Sequence, residues 1–410
     1  MQKNIVSFDE SSGRSHSASG DGYGLPDFYE LEPTRGCNLK CRMCHVSFMK
    51  DPVAYLDIDA IKDFSFLKGK TVSIGAVFEP CIHPKINKLI DILNQNECKL
   101  VLITNGHNLH KKKIPALFES NIEAITFSFD GIAKESYELV RVGGNFERTL
   151  DNICSFKDGF HNKDTIFSVN YTVLKCNLEE VPAAVEFWNK RDMDLIRFIA
   201  AVTREDDEFL KENSMWENRK RYFELLDQSA DYVINSNTKI SMFSSHFESE
   251  SAKARYGEHV ANGIISADPA RARLPEIYPR HFQYGAGYGM TFPCKSPFVA
   301  ARIIWDGTVM LCHSHVAGNL YNISFKEAWD SEAAQELRRS VIKDNKLCDK
   351  CDYFRLCINS HYVDLENKEN YFSGAMLERR SMVAKAIDKI KGTIRPYVKG
   401  SNVRHKKKRP

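Results

Sequence analysis

Between residue 28 and about residue 201, short β-type runs alternate with helix-type segments, and this alternation restricts the fold more than any other feature of the chain. The runs 28–33, 71–77, 99–104, 124–129, 165–173 and 195–200 are rich in the β-branched and aromatic residues that suit a pleated surface. Between them, 58–66, 84–95, 146–160 and 178–190 carry apolar residues at helical spacing. Strands separated by helices cannot pair as hairpins; they form a parallel sheet with helices outside it. Six such units are fewer than the eight of a closed barrel, so the expected fold is α/β, a partial (β/α)6 TIM-like barrel. Ligands of such sheets lie at the C-terminal strand ends.

The rest of the chain reads differently. Residues 1–25 form a polar, Ser/Gly-rich lead-in expected to be disordered, and the barrel occupies 26–205. A connector follows over 206–291, helical near 216–233 and irregular over 242–288, able to cover the site. Residues 292–372 form a small cysteine-rich α+β domain, 373–394 a helix and 395–410 a basic tail. With no apolar h-region and no run long enough for a membrane span, a cytoplasmic location is expected. The net charge of +3 is uneven: the tail holds seven Lys/Arg and no acid, leaving −4 for the remainder. The body is therefore no polyanion binder. The tail (Arg404, Lys406, Lys407, Lys408, Arg409) reads as a solvated end rather than a nucleic-acid contact.

The chain has 12 cysteines, and eight of them fall into two groups. Grouped cysteines in a chain without a secretory signal point to metal rather than disulfides. Cys81, Cys98, Cys154 and Cys176 are scattered and fit buried apolar positions. The first group, Cys37, Cys41 and Cys44, has C-x3-C-x2-C spacing in one loop after the first strand. Three thiolates there can ligate three irons of a [4Fe–4S] cube and leave the fourth iron open to a ligand. Structural zinc is the alternative, but it needs a fourth ligand, and His45 is poorly placed beside Cys44 to supply it. The second group is Cys294, Cys312, Cys348, Cys351 and Cys357. Asp306-Gly307 between apolar runs signals a hairpin with Cys294 and Cys312 at its base. Five thiols suit one more four-ligand site, iron–sulfur or zinc.

The cysteine loop after the first strand resembles that of the radical S-adenosylmethionine superfamily, and later strand ends match the family in order. Gly75-Ala76-Val77-Phe78-Glu79-Pro80 is similar to its Gly-Gly-Glu-Pro stretch, with Phe78 where the second glycine would stand. Thr104-Asn105-Gly106, Ser128-Phe129-Asp130-Gly131 and Asn170 resemble its polar contacts to methionine and ribose, and Met43 replaces an aromatic beside the adenine. The resemblance implies S-adenosylmethionine bound through Glu79, Thr104, Asn105, Ser128, Asp130, Asn170 and Met43. The methionine part would chelate the open iron, and reductive cleavage would give a 5′-deoxyadenosyl radical. An electron donor such as flavodoxin or ferredoxin is also implied.

The second group looks like the auxiliary-cluster extension called SPASM, or its shorter twitch form. It implies one auxiliary [4Fe–4S] cluster on Cys294, Cys312 and two of Cys348, Cys351 and Cys357; a second cluster using His361 is the alternative. The expected activity is radical oxidation or epimerisation of a small polar, sugar-like substrate, because no N-terminal segment is long enough for a leader-binding domain. Cys81 and Cys176 are the candidate hydrogen donors an epimerase would need. Modification of a ribosomal peptide is a second reading. A non-catalytic zinc protein with a nucleic-acid-binding tail is a reading of another class.

Overall fold

The computed structural model describes residues 24–266 and 296–343, apart from 111, 161, 163, 202–206, 237, 249, 263, 313 and 314. Its strands are β1 Phe28–Leu31, β2 Thr34–Arg35, β3 Ala54–Tyr55, β4 Thr71–Ile74, β5 Lys99–Thr104, β6 Ile122–Ser128 and β7 Ile166–Val173. They continue as β8 Leu195–Ala200, β9 Ser241–Phe243, β10 Ile265–Ser266, β11 Ala300–Ile303, β12 Thr308–Met310 and β13 Val316–Asn319. The first helices are α1 Ile86–Gln95, α2 Pro115–Phe118, α3 Lys134–Val140, α4 Phe146–Gly159, α5 Val181–Asn189 and α6 Glu208–Glu212. After them come α7 Arg219–Asn235, α8 Glu250–Ala261, α9 Ser296–Val299, α10 Phe325–Trp329 and α11 Glu332–Lys343.

All but β2 and β3, which pair with each other, belong to one 11-stranded sheet of order β10-β9-β8-β7-β6-β5-β4-β1-β11-β12-β13. Pairing is parallel from β10 across to β11 and antiparallel only at β12 and β13. The six expected strands form the middle of this partial barrel, and among the described residues the sheet is open at both edges. No helix among the described residues is long and apolar enough to cross a membrane.

Strand periodicity divides the side chains between two faces. Phe127, Val169 and Tyr171 point outward into the main core with Trp188 of α5. Phe129, just past β6, meets the Trp188 ring edge-on at 5.1 Å. The alternate residues Thr126, Ser168, Asn170 and Arg197 share the inner face: Thr126 and Ser168 hydroxyls are 2.8 Å apart, and Arg197 Nη1 donates to Thr126 (3.3 Å) and Asn170 (3.2 Å). Helices cover the outer face by the usual stripe; in α1, Ile86, Leu89, Ile90 and Leu93 are buried.

Three expectations change. The segment 58–66 is two 3-10 turns, Ile58–Ala60 and Ser65–Leu67, not a helix. Asp57 and Asp63 accept the amides of Asp59 and Ser65, local bonds that compete with helix formation. The stretch read as irregular from 242 contains α8, β9 and β10. Strands of three and two residues are too short to show alternation, and among the described side chains of α8 only Ala252 and Tyr256 are buried. The C-terminal cysteine region also does not begin as a separate layer: β11 pairs with β1 in register Phe28↔Ala300 to Leu31↔Ile303 and extends the barrel sheet. The expected Asp306-Gly307 turn does join β11 to β12, with Gly307 at φ +79°. The N-terminal lead-in up to residue 23, the helix expected over 373–394 and the basic tail lie outside the described residues.

Trp188 is fully buried at the junction of α5 and the sheet. Trp188→Ala is expected to cost about 3–5 kcal/mol in anaerobic chemical denaturation. Glu186→Ala, which removes only the exposed partner of Lys190, should cost about 0.5 kcal/mol or less.

Candidate active site

The first cysteine loop runs from Gly36 to Cys44 directly after β2 and is held on its outer side by the chain that ends α3. Lys40 N–H donates to Val142 O (2.8 Å) and Arg42 N–H to Val140 O (2.9 Å). Cys41 is buried, while Cys37 and Cys44 are half-buried. Burial pushes the Cys37 thiol up to about 11, with the Glu79 charge adding to it. Burial takes Cys41 to about 12, against the pull of Arg141 and with a further push from Cys44, Asp130 and Cys37. The three thiols are thus near neighbours in a dry pocket, where bound metal cations would reverse the shift and draw out thiolates. Donors already aim at the sulfurs: Leu39 N–H (3.4 Å) and Asn105 Nδ2 (3.5 Å) at Cys37, and Arg141 Nη1 (4.0 Å) at Cys41. Such donors fit a ligand set that carries negative charge. Among the described residues no three His, Cys, Asp or Glu side chains converge as ligands of one metal ion. An iron–sulfur cube distributes its cysteines over separate irons.

Glu79 lies beside this loop, its backbone N–H donating to Gly36 O (3.1 Å). The side chain is 3% exposed. Oε1 accepts from Thr104 Oγ1 (2.8 Å) and Cys81 N–H (3.0 Å), and Oε2 from Asn105 N–H (2.7 Å). Burial raises its pKa, and the three donors oppose the rise. Gly75 enters the loop at φ +72°, where an added Cβ would lie 2.5 Å from Pro80 Cδ. Glycine is needed at 75 but not at 78: Phe78 has no positive φ, and its ring packs edge-on against Trp305 at 5.2 Å.

These contacts reassign several expected cofactor residues. The Thr104 hydroxyl is committed to Glu79 and to the Cys81 sulfur (3.5 Å), and it is 2% exposed. Asn105 turns its side chain to Cys37 and to Asn38 Oδ1 (2.9 Å). Both position the site rather than face a ligand. Asp130 is fully buried; its carboxylate pairs with Arg141 Nη2 (2.7 Å) and accepts Thr172 N–H (2.6 Å), so it is not a cofactor contact. Ser128 and Asn170 remain half-buried on the inner face, and Met43 packs against the cluster of Val140, Leu174, Ala201 and Leu210.

Of the two proposed hydrogen donors, Cys81 is corrected. Its side chain is 2% exposed within the main hydrophobic core, closed off from a substrate. Cys176 stays half-buried after β7, packed against the cluster of Val140, Leu174, Ala201 and Leu210, and burial pushes its thiol up to about 11. In the second group only Cys312 lies within the described residues; its sulfur is 3.4 Å from His315 Nδ1. Cys294, Cys348, Cys351, Cys357 and His361 lie outside them. Sequence reasoning missed Arg141, Glu32, Arg302 and His315. Only His315, three residues after Cys312, had a local signal.

A family profile described as the radical SAM superfamily matches residues 31–187, and a SPASM profile, described as an iron–sulfur cluster-binding domain, matches residues 294–352. Residues 31–187 are a radical SAM domain and residues 294–352 a SPASM domain. The two domains imply a [4Fe–4S] cluster, S-adenosylmethionine and auxiliary iron–sulfur chemistry. A probable GTP 3′,8-cyclase of Methanococcus maripaludis is 24% identical over 178 residues, 42% of this chain and 58% of its own. The chain spans about half the length of the curated relatives it matches. SuiB of Streptococcus suis, bound to its precursor peptide SuiA, aligns at TM-score 0.52 and 16% identity, covering 84% of this chain and 74% of its own. The structure of anSMEcpe with AdoMet and the Cp18Cys peptide aligns at 0.54 and 18%, covering 90% and 100%. At these identities the likeness shows a shared fold.

The Arg141–Asp130 pair supports the loop from behind. Arg141→Met leaves the Asp130 charge buried without its partner and should destabilise the protein by about 3–5 kcal/mol. Adding Asp130→Asn should recover part of that loss, read as coupling in a double-mutant denaturation cycle; additive effects would contradict the pairing.

Proposed function

We propose that Cys37, Cys41 and Cys44 hold the radical-generating [4Fe–4S] cluster and that the enzyme takes hydrogen from a small polar, sugar-like molecule, oxidising or epimerising it. The observation that carries this reading is the junction of the three-thiol loop with Glu79, made by Asn105, which donates its backbone N–H to Glu79 and its side-chain N–H to Cys37. Bound there, the cluster and S-adenosylmethionine supply a 5′-deoxyadenosyl radical by one-electron cleavage of the sulfonium. The chain's residues bind and orient. Glu79, a buried carboxylate with three donors fixing its position, accepts the methionine ammonium. Met43 lies against the adenine, and Ser128 and Asn170 contact the ribose. Cys294, Cys312 and two of Cys348, Cys351 and Cys357 would hold the auxiliary cluster, which would supply a one-electron acceptor when the outcome is oxidation. Flavodoxin or ferredoxin provides the first electron.

Ser128 and Asn170, the half-buried polar residues on the inner face of β6 and β7, favour a hydroxylated substrate. Cys176, half-buried after β7, suits hydrogen return: its S–H would give a hydrogen atom to the substrate radical, and the thiyl radical left behind would be restored by one electron from the flavodoxin or ferredoxin donor and a proton. A second reading, modification of a peptide, is favoured by the likeness to SuiB and anSMEcpe, whose structures hold peptides.

Anaerobically reconstituted protein with reductant is expected to convert S-adenosylmethionine to 5′-deoxyadenosine, and Cys41→Ala to give none. In deuterated water an epimerised product would gain deuterium at one carbon, and Cys176→Ala would keep 5′-deoxyadenosine formation but lose that label. Wild-type protein that forms no 5′-deoxyadenosine would overturn the proposal.

A further inference from the structure

The Gly75–Glu79 loop is gripped from below by a carboxylate no motif singled out. Glu32, just past β1, is fully buried. Its Oε1 accepts the N–H of Ala76 (2.8 Å) and Val77 (2.6 Å), and its Oε2 that of Phe78 (3.4 Å). Three successive amides on one carboxylate fix the path of the backbone that ends at Glu79. A buried carboxylate needs a compensating cation. The cation comes from the far end of the sequence: Arg302 of β11 places Nη2 3.3 Å from Glu32 Oε1 and Nε 2.7 Å from Glu30 Oε1.

The same hairpin meets the loop on its other side. Trp305 packs edge-on against Phe78 in a cluster with Val46, Ile304 and Met310, which Cys37 and Cys44 also touch. Arg35, two residues before Cys37, stands over the Trp305 ring at 5.5 Å. A glycine at 78 would have no ring to offer Trp305. The hairpin then runs through β12 to Cys312.

We propose that Arg302 and Trp305 are positioning residues for cofactor binding: from the SPASM side of the sheet they hold the Glu32-bound loop in the shape that presents Glu79. The inference rests on the reading that Glu79 receives the ammonium of S-adenosylmethionine. It makes cofactor affinity a property of both halves of the chain, since Glu79 is aimed by residues that lie outside the radical SAM match at 31–187.

The test uses the anaerobic holoenzyme as wild type, Arg302→Met, Arg302→Lys and Trp305→Leu. Hydrogen exchange of the amides of residues 76–78 is followed by mass spectrometry, and S-adenosylmethionine affinity by equilibrium dialysis beside the rate of 5′-deoxyadenosine formation. Arg302→Met should speed exchange at 76–78 and weaken S-adenosylmethionine about tenfold or more, as loss of an orienting partner does at ligand sites. The rate at saturating S-adenosylmethionine and the iron content should stay near wild type. Arg302→Lys should recover part of the affinity, and Trp305→Leu should give the same split without touching a charge. A purely structural pair would lower iron content and stability without separating affinity from rate, and that result in both Arg302→Met and Trp305→Leu overturns the proposal. Unchanged exchange at 76–78 in both variants also overturns it. If exchange rises but wild type binds no S-adenosylmethionine, the grip on the loop stands, while its role in cofactor binding falls together with the reading of Glu79.

Discussion

The buried carboxylate of Glu79 is the interaction on which the site depends. Burying a carboxylate is unfavourable unless hydrogen bonds or a cation compensate it. Here Thr104, Asn105 and Cys81 each direct a donor at it, tying the end of β5 to the loop after β4. Those neutral donors fix the position of the group and oppose the rise in its pKa that burial causes. Asn105 extends the tie to Cys37, so the geometry of the carboxylate and of the cysteine loop is set together.

The second constraint is continuity of the sheet. Because β11 adds in parallel to β1, the segment leading to the SPASM cysteines is hydrogen-bonded to the strand that leads to Cys37. The Glu30–Arg302–Glu32 cluster and the Phe78–Trp305 contact lie across that seam. Phe78, which departs from the family pattern in sequence, is explained by its partner: the backbone there has no need of glycine, and Trp305 fills the space beyond the ring.

How much of this could be read beforehand follows the range of each interaction. Strands and the cysteine loop are local patterns, so β1 and β4 to β8 fall within a few residues of where periodicity put them, and β5 and β8 match at both ends. The Asp306-Gly307 turn was legible for the same reason. The residues at the strand ends were found, but what Thr104, Asn105 and Asp130 do there was not. Their partners are distant in sequence: Glu79 for Thr104, Cys37 for Asn105, Arg141 for Asp130. Arg302 and Glu32, separated by 270 residues, form no pattern a linear reading can see. The helix expected at 58–66 failed for the opposite reason, since its aspartates satisfy nearby amides first.

The proposed cluster on Cys37, Cys41 and Cys44 has one iron open to S-adenosylmethionine. Mössbauer spectroscopy of the full chain loaded with iron-57, recorded with and without S-adenosylmethionine, tests it most directly. A single iron site should change its isomer shift when S-adenosylmethionine is added, and Cys41→Ala should show no such change. A spectrum indifferent to S-adenosylmethionine, or the same change persisting in Cys41→Ala, would contradict it.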